Sequence, residues 1–245
     1  MAVRTQTDRP AFYALAPGRW RDLVTLLHPP YTAWHLSYVA FGAAVAPVVH
    51  VDRLLATLGA FLLAVGVAAH ALDELQGRPL GTGVSRPALV ALAGLSLAGA
   101  CAIGIVGAVT VSLTLLAFVA AGAFLVLAYN LELFGGRFHS DLWFALAWGG
   151  FPALTSTWAN SLALDWAAGL TAAACVTLSV AQRRLSKPVR ELRRRTLAVE
   201  GWQRRTDGQT VELSAARLAA PLDGALAALS LALPLLAAGV LAVRL

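Results

Sequence analysis

Three residues at the end of one apolar run have the types and spacing for chemistry. His70, Asp73 and Glu74 fall at i, i+3 and i+4 in the stretch Ala69-His70-Ala71-Leu72-Asp73-Glu74-Leu75-Gln76-Gly77-Arg78-Pro79. A helix continuing through them presents all three on one face. An imidazole with two carboxylates can hold a divalent ion, or set an acid and a base against a bound molecule. The bland alternative is a helix end reaching headgroup water, where charges cost little. A second set follows. Tyr129-Asn130-Leu131-Glu132 closes another apolar run, and the loop from Phe134 to Asp141 brings in Arg137 and His139. Glu132, His139 and Asp141 thus repeat the pairing of imidazole and carboxylate, although Asp141 also suits a helix N-cap. If both sets face one side they line one cavity. His70, Asp73 and Glu74 are then the candidate catalytic residues, and His70, Asp73, Glu74, Glu132, His139 and Asp141 the candidate metal ligands.

The other polar residues carry less. His28, before Pro29-Pro30, stands at the entrance of an apolar run and could face the same cavity, whereas His35 reads as a packing residue. Cys101 and Cys175 each sit inside an apolar run without metal-ligand spacing and read as small packing residues.

The elements that must position these groups are membrane helices. Hydrophobic residues make up 58% of the 245 and charged residues only 13%, against about a quarter charged in a soluble domain. Mean hydropathy is +0.70. A bilayer-crossing helix needs roughly 20 apolar residues, and seven runs qualify: 31–50, 53–75, 87–108, 110–131, 141–160, 162–182 and 219–243. The third and fourth meet at a tight turn near Gly107 to Thr110. Lys and Arg collect in the segments between alternate runs, leaving only Arg53 and Arg244 on the other side. The positive-inside rule then puts the N-terminus in the cytoplasm and the C-terminus outside. Arg4, Arg9, Arg19 and Arg21 precede no apolar core ending in a cleavage site, so no cleaved signal is expected. The expected fold class is an all-α integral membrane protein of about seven transmembrane helices, multi-pass in the plasma membrane. Its parts are a cytoplasmic or interfacial segment at 1–30 and a six-helix bundle at 31–182. A basic amphipathic cytoplasmic segment at 183–218 and a seventh helix at 219–245 complete it. Residues 11–28 and the run Leu185, Val189, Leu192, Thr196, Val199 read as interfacial helices, the second suited to an anionic leaflet. The pI near 10.1 requires no nucleic acid.

These residues in this order resemble the UbiA-type prenyltransferase superfamily. His70 to Ala88, with Gly-Arg-Pro-Leu-Gly-Thr-Gly-Val-Ser-Arg-Pro-Ala, is similar to that family's first aspartate-rich motif at the end of its second helix. Leu-His-Pro-Pro-Tyr at 27–31 resembles its first-helix entrance, and Tyr129 through Pro152 its fourth-helix, loop and fifth-helix region. The resemblance covers roughly 20–185. It implies Mg²⁺ on an isoprenoid diphosphate, departure of the diphosphate, and attack by an acceptor on the allylic cation. Asp73 matches a motif aspartate, His70 stands where the preceding one would be, and Gly77 where the third would be. Arg78 matches the Arg-Pro arginine as a phosphate contact, and Tyr129, Asn130 and Arg137 fall in the region covering the donor. The chain departs from the family after the sixth run, where a second aspartate motif belongs. It reads Ala-Gln-Arg-Arg-Leu-Ser-Lys-Pro-Val-Arg at 181–190, which supplies no second carboxylate set.

The expectation the resemblance implies is therefore a UbiA-like membrane enzyme acting on an isoprenoid (lipid) diphosphate by metal-assisted prenyl transfer at the cytoplasmic face, with a divalent metal, Mg²⁺ by the resemblance, as cofactor. Arg183, Arg184 and Lys187 would offset phosphate charge in place of a second ion. Two alternatives stay open. One is the same fold with another metal (histidines with carboxylates suit Zn²⁺, Fe²⁺ or Mn²⁺) working as a cyclase or lipid hydrolase. The other is a non-enzymatic lipid-binding protein. A homo-oligomer is compatible with the sequence but not required by it.

Overall fold

Helix starts are written into this chain as capping residues. Ser85 accepts from the Ala88 N–H, Ser140 from Trp143, Asp165 from Ala168 and Ser214 from Arg217. Each satisfies one of the orphan donors that open a helix. Pro29, Pro30 and Pro87 occupy first turns, where a missing N–H costs little. The computed structural model describes residues 9–245; Arg4 of the charge pattern lies outside them. The described chain is all-α apart from one hairpin. Its helices are α1 (Arg19–Leu26), α2 (Pro29–Val45), α3 (Val51–Leu75), α4 (Arg86–Thr110), α5 (Leu115–Asn130), α6 (141–161), α7 (Trp166–Arg194) and α8 (Ala215–Arg244). Strands β1 (Trp202–Arg204) and β2 (Thr210–Glu212) pair antiparallel between α7 and α8, with Trp202 opposite Glu212.

Helices α2 to α8 fall on the seven apolar runs. Three of them, α3, α4 and α8, are long and apolar enough to cross a membrane by length and composition. Helix α5, at 16 residues, is about 24 Å long, short of a typical hydrocarbon core of about 30 Å. Only 17% of the most apolar window of α4 is buried, and Leu95 and Val109 are 75% and 76% exposed. An apolar surface of that kind is compatible with a lipid environment.

Small residues and buried hydroxyls hold the bundle together. A Cβ on Gly42 would overlap the Ala153 carbonyl, so α2 and α6 touch backbone to backbone. Thr157 Oγ1 donates to the Gly42 carbonyl at 2.8 Å beside this contact. Small residues with a polar cross-link are the usual device where apolar helices meet without water to drive them together. Trp34, Tyr38, Ala153, Cys175 and Leu233 join α2, α6, α7 and α8 in one cluster. A larger one runs from Leu26 through Val39, Val65, Leu72, Leu89 and Val126 to Trp148.

Several boundaries differ from the sequence reading. The turn between α4 and α5 is at 111–114, not Gly107 to Thr110. Of the interfacial helix expected at 11–28, only Arg19–Leu26 is helical; the chain before it is an irregular strap. The sixth helix does not stop at 182. It continues through Pro188 to Arg194, with Arg183, Lys187, Arg190 and Arg194 on the wall of a polar cavity and Arg184 on the exposed surface. The amphipathic helix expected over Leu185 to Val199 is the end of this same helix as far as Arg194, and the remainder of 183–218 is the hairpin and the start of α8. Two π-helical stretches, Leu62–Ala69 in α3 and Leu146–Gly150 in α6, flank the same cavity; such widenings recur at functional sites.

The α2–α6 contact makes a clean prediction. Gly42→Ala should destabilise the protein by about 1–3 kcal/mol through overpacking, read as a lower thermal midpoint in detergent. Gly94→Ala, where a methyl meets nothing within 4 Å, should leave the midpoint unchanged or raise it.

Candidate functional site

Antiparallel helices bring alternate ends together, and here the start of α2, the end of α3, the end of α5, the start of α6, the end of α7 and the start of α8 surround one cavity of about 410 Å³. Both sequence-level sets are at this end. The cavity receives His70 and Asp73 from α3, Tyr129 and Asn130 from α5, and His139 from the following loop. Of the expected basic residues Arg183 and Lys187 line it as well; Glu74, Arg78, Glu132, Arg137, Asp141 and Arg184 do not.

Glu74 shows why. Its side chain is 1% exposed and accepts from Leu80 N at 3.0 Å, Thr82 N at 2.8 Å and Thr82 Oγ1 at 2.9 Å. Arg78, itself at φ 50, donates to the Thr82 and Val84 carbonyls at 2.7 and 3.0 Å. These two residues fold the loop from α3 to α4, and neither lines the cavity. Glu132 has a side chain 59% exposed and stands 3.9 Å from His139 Nδ1. Asp141, 55% exposed, meets Arg183 through Nη2 at 2.7 Å and Nε at 2.9 Å; the N-cap of α6 is Ser140, not Asp141. Arg137 and Arg184 are exposed, outside the cavity wall.

The imidazoles are fixed by backbone. Nδ1 of His70, His35 and His139 lies 3.1, 2.9 and 3.0 Å from the carbonyls of Gly66, Trp148 and Tyr129. A carbonyl only accepts, so each ring carries its proton on Nδ1 and, when neutral, keeps a lone pair on Nε2. Gly66 and Trp148 lie in the two π-helical stretches. His28 stacks on His70 with centroids 4.0 Å apart and planes 9° apart. It reaches there from a left-handed backbone, φ 46 and ψ 55, a strained state for a non-glycine residue. Its Nδ1 shares a hydrogen bond with the Tyr13 hydroxyl at 2.9 Å, and its Nε2 is buried without a partner. Burial, then the neighbouring His70, pushes the His28 pKa well below the ordinary imidazole value.

Above the rings lies the strap. Phe12 and Tyr13 pack edge-on against Tyr31, while Arg193 and Arg194 donate to the Arg9 and Pro10 carbonyls at 2.9 and 3.4 Å. Helix α7 supplies the charge: Arg183, Lys187, Arg190 and Arg194 all line the cavity. Their spacing, i, i+4, i+7 and i+11, is one helical stripe. That signal was in the sequence, as was His28 beside two prolines.

A metal centre of the family type does not fit this donor set. Among the described residues no group of three or more His, Cys, Asp or Glu is placed to hold an ion. Glu74 is turned into the loop, and basic residues hold the position of the second motif. A second cavity of about 520 Å³ is lined mostly by apolar residues of α3, α4, α5 and α6 such as Phe61, Phe118, Val126 and Phe151, and runs to the opposite helix ends, where Asp52, Arg53 and Thr110 join its wall. Val65 and Trp148 are walls of both cavities.

Two predictions follow from these roles. Glu74→Ala should cost about 2–5 kcal/mol by leaving its buried donors unmet, while Asp73→Asn should barely move the thermal midpoint. For His28 the unfolded pKa is about 6.5 and the folded one is lower, so below that pH the unfolded chain binds the extra proton. Stability is complete above pH about 6.5 and falls as pH drops below it. His28→Asn, which tolerates the left-handed backbone, should shrink the loss of thermal midpoint between neutral and mildly acidic pH. Comparison of the chain with protein-family models, with curated proteins and with solved structures finds no match.

Proposed function

We propose that this chain is a UbiA-like membrane enzyme that takes an isoprenoid (lipid) diphosphate at the cytoplasmic end of a seven-span bundle and transfers its prenyl group. One observation carries the reading: a cation-lined cavity and an apolar cavity share the walls Val65 and Trp148. That pair suits an amphiphile with an anionic head and a hydrocarbon tail. The orientation rests on the Lys and Arg bias, which puts the basic end inside.

In this reading the stripe on α7 holds the phosphate oxygens. As the allylic carbon–oxygen bond breaks, its electron pair leaves with the diphosphate, and fixed guanidinium and ammonium groups offset the growing negative charge. The allylic cation forms at the junction of the cavities, beside the Tyr129 and Trp148 rings, whose faces attract positive charge. An acceptor closes the new bond and loses a proton to Asp73. No step in this scheme runs through a metal. Turnover is read as diphosphate release from farnesyl diphosphate by protein in liposomes, supplied with candidate acceptors. Asp73→Asn should lower it by about 100-fold or more without loss of folding. A fully active variant would refute the assignment, and binding without release would move the case to a lipid-binding protein.

A further inference from the structure

From the disposition of charge around the polar cavity we infer that it binds the phosphate or diphosphate head of its lipid directly through Arg183, Lys187, Arg190 and Arg194, with no divalent ion bridging protein and ligand. The inference rests on the amphiphile reading above and makes it more specific.

Three observations support it. The four cations sit on one face of a rigid helix at heptad-like spacing, all in the wall of one cavity. Among the described residues only Arg183 of the four has a carboxylate partner, the exposed Asp141. Arg190 and Arg194 donate to neutral oxygens, Ser186 Oγ and the Pro10 carbonyl. Second, the cations outnumber the opposing charge. The wall carries the carboxylates Asp73, Glu191 and Asp223 against the four cations and Arg195. Asp223 is paired with Arg193 through one oxygen, the other being buried without a partner, and Glu191 is exposed, as are Lys187 and Arg194. Burial, with Arg183 and Arg194 close by, holds the Arg190 pKa below the usual guanidinium value. Like charges crowded in a half-buried site are stabilised by a multivalent anion. Third, His28 Nε2 is buried in the same wall with no partner. If Nδ1 accepts the Tyr13 proton, Nε2 carries the hydrogen and is a donor waiting for an acceptor oxygen. An ion-bridged diphosphate needs the reverse, several carboxylates facing inward around a hard cation.

The test is binding of farnesyl diphosphate and farnesyl monophosphate to the detergent-purified full chain, followed by calorimetry in EDTA and again in Mg²⁺. The expected result is the same affinity in both, lowered by added salt. Lys187→Ala/Arg190→Ala should weaken binding about 10- to 100-fold, and Arg204→Ala, in the exposed hairpin, should not. If the double variant fails to fold, Arg190→Lys and the wild-type EDTA arm decide the matter. The lysine keeps the charge but loses the planar fork, so weaker binding without loss of folding supports the assignment. Binding that disappears in EDTA and returns with Mg²⁺ overturns the inference while leaving the amphiphile reading intact. EDTA-insensitive binding unaffected by the double variant overturns the stripe. No binding of either lipid in either buffer overturns both readings. Preference between the two probes tells a diphosphate pocket from a monophosphate one.

Discussion

The Glu74 carboxylate, sealed from water inside an apolar bundle, must be matched by donors, because an unpaired buried charge is among the most costly features a protein can carry. The backbone of the α3–α4 loop provides them, with the Thr82 hydroxyl. Once the loop is drawn onto that carboxylate, Glu74 is committed to the loop, while Asp73, about 100° round the helix, and His70 line the cavity. The same loop reaches α1, where Asp22 accepts from the Gly83 N–H at 3.1 Å.

The polar cavity is the complement of that arrangement. Hydrophobic helices can cross a membrane only if their polar groups are satisfied internally or gathered at an end. This chain does both: buried hydroxyls bond back to their own helices or across to a neighbour, and most of the ionisable groups collect at one end, with Asp52, Arg53, Asp165 and Arg244 at the other. The fixed imidazoles, the stacked pair and the cation stripe are then consequences of six helix termini sharing a single volume. A strained His28 backbone is tolerated because Pro29 and Pro30 fix the start of α2 immediately after it.

Much of this was legible in the sequence. The apolar runs located all seven longer helices, and their alternation put His70, Asp73, Tyr129 and His139 at one end. The i, i+3, i+4 spacing identified a shared face but could not divide it, since the direction Glu74 takes depends on a loop that folds back on it. Glu132 and Asp141 lie outside the cavity wall for a similar reason: the segment between them turns at positive φ at Glu132, Phe134, Gly135 and Gly136, and period-based reasoning does not extend into such a loop. Arg190 and Arg194 were read as part of a membrane-surface helix because charge after an apolar run ordinarily marks the exit to water. Here the helix keeps its phase, and the charge marks a cavity.

That unbroken phase has an evolutionary consequence. With 3.6 residues per turn, one inserted or deleted residue within the body of α7 would swing its final turns by about 100°, carrying every cation of the stripe away from the cavity together. Lengths elsewhere are freer. The hairpin between α7 and α8 is almost wholly exposed, and changes there leave the stripe where it is. Among proteins descended from a common ancestor with this one, the number of residues between Asp165 and Arg183 should be conserved more strictly than the residues themselves, and the hairpin should be where lengths diverge.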